Sequence, residues 1–342
     1  MFVEGRVQMN VKRVLVMVAA LMAMIVSFVG LQSTASAADN IANTLKISPV
    51  RSDIEIPAGT SKTVQITATN LTNNPITVSP IENDFVAGDE RGTPALILDA
   101  DKFAPTHSLK RFMAPLENVT IPAGKSQVIK VVITVPKNAH AGGYFGAVRL
   151  APAGSENGGQ VNLTGSVASL ILMTVPGPIT EKLDLTNFTI EQNGKSNTIF
   201  GNPNGLQASF RFENKGDAQE GPFGKISVKQ GDKVVYEADF NNKDPRDMIL
   251  PDSARRFDIP LRSIGTFGNY TVSATLTYGK KNQTIEVMKS FWVIPQMMIV
   301  AAVVALLVLI AIVVGIVLFL RNYKRRILRN HGGGGLNTHH RR

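Results

Sequence analysis

Between about residues 38 and 294, apolar and polar positions alternate with period two and show almost no helical spacing, which predicts a region built of strands. In Tyr270-Thr-Val-Ser-Ala-Thr-Leu-Thr-Tyr278 apolar or aromatic residues alternate with hydroxyl residues, so a pleated strand buries one face and leaves the other wet. The same pattern occurs in Leu206-Gln-Ala-Ser-Phe-Arg-Phe212, Val64-Gln-Ile-Thr-Ala68 and Ile129-Lys-Val-Val-Ile-Thr-Val135. Turn chemistry separates such runs at Asn73-Asn-Pro75, Ala87-Gly-Asp89, Asn193-Gly194, Asn204-Gly205 and Gln230-Gly-Asp232.

Short strands divided by turns every 8 to 12 residues or so indicate antiparallel sandwiches rather than parallel α/β units, with about seven or more strands in each half. Val175-Pro-Gly-Pro178 interrupts the pattern, because its two prolines remove backbone donors. The predicted fold is therefore all-β, two tandem immunoglobulin-like antiparallel β-sandwiches over 38–178 and 179–294. Ile56-Pro-Ala-Gly59 and Ile121-Pro-Ala-Gly124 each lead into a strand, and are read either as a shared structural unit or as coincident turn chemistry. Tyr144 and Tyr270 each follow glycines at the start of a late strand, where such sandwiches place a corner tyrosine, and are expected to be architectural.

A different pattern bounds the chain. Met297 to Leu320 is an uncharged apolar run that as a helix extends roughly 36 Å, enough to cross a hydrocarbon core of about 30 Å. Arg321, Lys324, Arg325 and Arg326 follow it, and the tail over 321–342 contains no acid, so the positive-inside rule puts the C-terminus in the cytoplasm. Trp292, the only tryptophan, lies just outside the run, where an indole favours the interface. At the other end, Lys12 and Arg13 precede the apolar stretch Val14–Leu31 and then Ala35-Ser-Ala37, which predicts a signal peptide over 1–37. An uncleaved anchor is the alternative. The expected location is the cell membrane, single-pass, with both sandwiches outside.

Charge adds one exclusion. Of the net +10, seven charges belong to the tail and two to the N-terminal stretch (Arg6, Lys12 and Arg13 against Glu4), which leaves one for the sandwiches. No basic field suited to nucleic acid remains, and the tail cations are better spent on topology and anionic lipid. Cysteine is absent, which removes disulfides, thiolate nucleophiles and thiolate metal sites.

The order of parts resembles the Gram-positive surface family of WxL-interacting proteins. The residues that carry the likeness are Ile56-Pro-Ala-Gly59, Asn70, and Val119-Thr-Ile-Pro-Ala-Gly124 through Val135-Pro136 to Gly143-Tyr-Phe-Gly146. The resemblance implies a DUF916 domain associated with peptidoglycan binding, a DUF3324-like second domain, a membrane helix and a basic tail.

No Walker loop, GxGxxG, HExxH or GxSxG motif occurs, and neither a cofactor nor a metal site is predicted. His107 and His140 stand far apart in the sequence, whereas His331, His339 and His340 lie in the tail. Glu82, Asp84, Asp89, Glu90, Asp99 and Asp101 crowd one stretch and are read as a solvated loop. Asp89, Asp99 and Asp101 are the residues to watch for a cation, and a carboxylate pair for glycoside hydrolysis is a third reading. The loop from Phe85 to Pro115 is the expected binding element, with Arg91, His107 and Arg111 as candidates and Phe103 and Phe112 expected to complete the core. Asn70, Asn118, Asn162, Asn187, Asn269 and Asn282 head glycosylation triplets, read as chance products of threonine-rich strands. The expected function is a non-catalytic, membrane-anchored surface protein that binds cell-wall polymer or another surface protein. The alternatives are an envelope carbohydrate-active enzyme using the acidic loop and an accessory subunit of a membrane complex.

Overall fold

The computed structural model describes residues 44–152 and 166–330. The signal-peptide segment, Asn162 and the three tail histidines lie outside the described residues. Period two dominates as expected. The first half forms β1 Leu45–Ser48, β2 Arg51–Glu55, β3 Ser61–Asn70, β4 Ile76–Ala87, β5 Pro94–Leu96, β6 Val119–Ile121, β7 Ser126–Thr134, β8 Gly142–Pro152 and β9 Val167–Val175. One layer is β1-β3-β7, and the other is β2-β9-β8-β4-β5 with β6 paired to β4. Between them lies a core including Ile56, Ile66, Ile121, Val131, Ile133, Leu150 and Met173.

The second half contains β10 Leu183–Gln192, β11 Lys195–Ser196, β12 Ile199–Phe200, β13 Leu206–Asn214, β14 Phe223–Gln230, β15 Lys233–Phe240, β16 Ser253–Pro260, β17 Gly268–Tyr278 and β18 Gln283–Val293. Its sheets run β11-β10-β13-β16 and β12-β18-β17-β14-β15. Phe210, Phe212, Phe240 and Phe257 meet between them in edge-on, tilted and stacked contacts, each side chain worth roughly 1.5–3 kcal/mol of burial. The described residues are thus all-β in two sandwiches, with one α-helix at the C-terminal end. The antiparallel expectation needs a correction, since β2 runs parallel to β9 and β12 parallel to β18. Each of these short edge strands reaches its partner across a long stretch of chain, which leaves its direction free of hairpin geometry.

Two polar devices recur. Asn70 ends β3 fully buried, accepts from the Thr72 N–H and donates to the Asn74 and Ile121 carbonyls. Asn214 ends β13 in the same way, accepting from the Gly216 N–H and donating to the Ala218 and Ile249 carbonyls. The Asn70 amide is therefore consumed by the fold and is no glycan acceptor. The two Ile-Pro-Ala-Gly turns are likewise equivalent: the Thr60 N–H bonds the Pro57 carbonyl and the Lys125 N–H the Pro122 carbonyl, with Gly59 at φ 78° and Gly124 at φ 64°. They sit at opposite ends of the β3–β7 ladder.

The corner tyrosines are structural. The Tyr270 hydroxyl accepts from the Gly265 N–H and donates to the Phe267 carbonyl, while Tyr144 donates to the His140 carbonyl.

Helix α1, Gln296–Asn330, extends beyond the apolar run. Its segment Gln296–Arg321 is long and apolar enough to cross a membrane, and none of it is buried against the sandwiches. The expected end at residue 320 moves to Asn330, so Lys324, Arg325 and Arg326 continue the helix. No proline or glycine lies between Leu320 and Gly332.

A candidate site in the cleft between the sandwiches

The two sandwiches are docked by contacts that cross the Pro-Gly-Pro junction. Arg51 donates to the Arg246 carbonyl at 2.6 Å, the Gly143 N–H to the Asp217 carbonyl at 2.7 Å, and the Arg256 N–H to the Glu90 carbonyl at 2.6 Å. Glu90 also takes a forked bond from Arg211, at 3.0 Å to Nε and 2.6 Å to Nη2, which holds its carboxyl below the usual range. Phe85, Phe145, Ala147 and Leu172 form a small apolar seam against Met248 and Leu250.

Close approach depends on glycine. Gly142 has φ +143°, and a Cβ there would lie 2.7 Å from the Asp217 carbonyl oxygen. Gly142→Val is expected to part the domains at a cost of about 1–3 kcal/mol and to speed protease cleavage of the 176–180 junction roughly tenfold, with each core still folded. An unchanged cleavage rate would show that docking tolerates the side chain.

Beside this seam the domains leave a cleft of about 390 Å³, lined by Thr174 and Gly177 on one side and by Glu181, Gln219, Glu220, Phe223, Arg246, Lys280 and Lys281 on the other. Position follows from local structure. Glu220 exchanges two backbone bonds with Ile249, at 3.0 and 2.7 Å, and this bridge turns its side chain into the cleft wall at 5% exposure. Burial, and secondarily the Glu181 carboxylate, push the Glu220 carboxyl up to about 7, against a backbone bond from Gly279. Near neutrality it therefore exists as both donor and acceptor.

Gln219 supplies the complement. Its amide nitrogen donates to Thr174 Oγ1 at 3.1 Å, but its Oε1 is buried without a partner. A buried carbonyl left unbonded costs roughly 1–3 kcal/mol, a cost that turning the amide toward a donor in the cleft would relieve. Glu181 is differently placed, because it accepts the Lys280 N–H at 2.8 Å and so holds the β17–β18 turn. Arg246 lies 3.6 Å from the centroid of the Phe223 ring, and Lys280 pairs with Glu55 of the first sandwich at 2.8 Å.

The residues singled out from the sequence lie elsewhere. Asp89 closes the β4–β5 turn by accepting the Arg91 and Thr93 N–H groups, which holds its carboxyl low, and Arg91 is exposed at that tip. Asp99 accepts the Asp101 N–H and pairs with Lys102 at 3.2 Å, and it too is held low. Asp89 and Asp99 thus serve separate turns, and among the described residues no group of three or more His, Cys, Asp or Glu is arranged to hold a metal ion.

His107 donates from Nδ1 to the Gly143 carbonyl at 2.6 Å, and its own carbonyl accepts the Phe145 N–H, so its ring serves the fold. Arg111 lies over the Phe103 ring, 4.5 Å from its centroid, with Lys110 at 5.0 Å. Phe103 is 41% exposed, which corrects its assignment to the core, whereas Phe112 does pack on Tyr144 at 5.0 Å. The supposed solvated loop also needs revision: Phe85 is buried within β4, and so is Asp84, which binds the loop from inside through Ala104, Ser108 and Lys110.

Glu220 and Gln219 carry no sequence motif. The only signal near them is the adjacent Gly221-Pro222 turn, and their partners come from residues far along the chain.

No family model matches this chain, and no curated protein matches it. Among solved structures it is similar to a chaperone–tip adhesin complex of CFA/I fimbriae, with TM-score 0.37 and 14% identity over 72% of this chain and 98% of that one. It is also similar to the class 5 fimbriae chaperone CfaA, with TM-score 0.34 and 14% identity over 72% and 98%. A third likeness is the CsuC–CsuE pre-assembly complex of Acinetobacter baumannii, with TM-score 0.33 and 14% identity over 71% and 97%. Likeness at this level assigns no role to any residue of this chain.

Proposed function

We propose that this protein is a membrane-anchored, non-catalytic surface protein whose interdomain cleft binds a hydroxyl-rich cell-wall polymer. The observation that carries this reading is the unpartnered Gln219 Oε1 in the wall of a 390 Å³ cleft, beside a carboxyl that both donates and accepts. Sugar hydroxyls supply the donors and acceptors such a wall lacks, and the membrane tether raises the effective concentration of a weak contact. In this reading α1 crosses the membrane once, its basic end lies in the cytoplasm, and both sandwiches face the wall. The resemblance to WxL-interacting proteins, with their peptidoglycan-associated first domain, points the same way.

Full-length protein in detergent should be retained on insoluble wall sacculi, with Gln219→Leu retained roughly 3- to 10-fold less, since one hydrogen bond is worth about 0.5–1.5 kcal/mol. Equal retention of the variant, or no retention of either protein, would sink this reading. A second reading, wall-polymer hydrolysis, is favoured by the neighbouring Glu220 and Glu181 carboxyls. It requires release of soluble saccharide that Glu220→Gln abolishes, and binding without release excludes it.

A further inference from the structure

The end of the second sandwich from which α1 departs has an apolar surface that its own core does not use. The Ile294 N–H still bonds the Phe200 carbonyl, while the Met298 N–H already bonds the Pro295 carbonyl at the start of α1. Only Ile294 and Pro295 separate β18 from the helix, a reach of about 7 Å. The headgroup layer on each side of a hydrocarbon core is about 5–7 Å thick. If α1 spans the bilayer, this end of the sandwich must sit among the headgroups.

The side chains exposed there fit that position. Trp292 is 42% exposed and pairs in register with Ile199, itself 50% exposed, so the two lie side by side on the outer face of the sheet. Phe267 is 50% exposed and immediately precedes Gly268, which faces Val293 at the end of β18. Its loop is held in place, since the Phe267 carbonyl accepts both the hydroxyl of the buried Tyr270 and the amide of Gln230. The adjoining Gln230–Lys233 turn has Lys229 and Lys233 beside Asp232, and Arg262 is exposed just before the Phe267 loop. Aromatic and aliphatic side chains bordered by cations are the composition of an interfacial membrane contact.

We infer that Phe267, Trp292 and Ile199 form a foot embedded in the headgroup layer of the bilayer that α1 crosses, so that the ectodomain stands end-on at a fixed height. The inference rests on the reading of α1 as a membrane span. Strand β17 has 11 residues, and its far end borders the cleft at Gly279, so the cleft is held about 33 Å from the foot along the strand direction.

Because Trp292 is the only tryptophan, its fluorescence reports on this contact without labelling. The full-length chain is placed in phosphatidylcholine vesicles brominated near the headgroup end of the acyl chain and compared with unbrominated vesicles. Quenching of roughly threefold is expected for an indole at the interface, and Phe267→Asp is expected to abolish most of it without altering thermal unfolding. In a Trp292→Phe background, the indole introduced by Met288→Trp lies on the same outer face about 13 Å further up β18, and should escape lipid quenching while remaining open to aqueous iodide. Equal Trp292 emission in both vesicles, or quenching unchanged by Phe267→Asp, overturns the foot. Alkaline carbonate extraction separates the two readings: a chain that resists extraction yet shows no quenching has a span but no foot, whereas a released chain has no span, and the foot falls with it.

Discussion

Replacing Asp84 with alanine is expected to destabilise the first sandwich by on the order of 4 kcal/mol, the largest single loss among its polar residues. The carboxylate is fully buried and accepts three donors, the Ala104 N–H at 2.9 Å, the Ser108 hydroxyl at 2.6 Å and the Lys110 N–H at 2.8 Å. These bonds tie the segment after β5 to the inside of β4, and alanine leaves three donors to find water or stay unpaired. In a protein of this size each kcal/mol moves the midpoint by roughly 2–4 °C, so thermal unfolding should shift by roughly 8–16 °C. Asp99→Ala, at an exposed turn, should change the midpoint by no more than about 2 °C. A loss below about 1 kcal/mol for Asp84→Ala would show that the loop docks by its apolar contacts instead.

The second large effect is a pH dependence that Glu220 imposes. Its carboxyl titrates near 7 in the folded protein against 4.5 ordinarily, so folding favours the protonated form. The advantage of holding that proton is complete below pH 4.5, declines as pH rises from 4.5 to 7, and is gone above 7, where the buried charge costs on the order of 3 kcal/mol. Glu220→Gln cannot ionise. Denaturant midpoints collected from pH 4 to 8 should therefore converge for the two proteins at the acid end and diverge towards pH 8, with the variant more stable there. Parallel curves would mean that water reaches Glu220 and relieves its burial. If the cleft binds polymer, retention on sacculi should instead change around pH 7, where Glu220 ionises in the folded protein, because ionisation converts a donor into an acceptor.

Much of the architecture was legible because it is local. The alternation in Tyr270–Tyr278 became the buried and wet faces of β17, and the two Ile-Pro-Ala-Gly turns became equivalent turns with left-handed glycines. The matched Asn70 and Asn214 were only half visible, since an asparagine at a strand end looks like any turn residue until its carbonyl partners at Ile121 and Ile249 are in place. The acidic stretch misled for a related reason: spacing along the chain does not reveal that Asp84 points inward from β4 while Asp89 and Asp99 close exposed turns.

From the sequence alone came the two runs of alternating residues, the break at Val175-Pro-Gly-Pro178 and the apolar span of α1. Each follows from a constraint that acts over a few neighbours, the two-residue pleat of a strand, the missing N–H of proline, or the thickness of a hydrocarbon layer. Tertiary structure alone decided the rest. It docked the sandwiches through Gly142, Asp217, Glu90 and Arg256, and brought Thr174, Gln219, Glu220 and Gly279 to one cleft. It also set Ile199 beside Trp292 and brought Phe267 to the same end of the sheet. These residues share no periodicity, and their chemistry arises from burial and from partners as distant in the chain as Glu90 and Arg256, which only the register of strands and the docking of domains can supply.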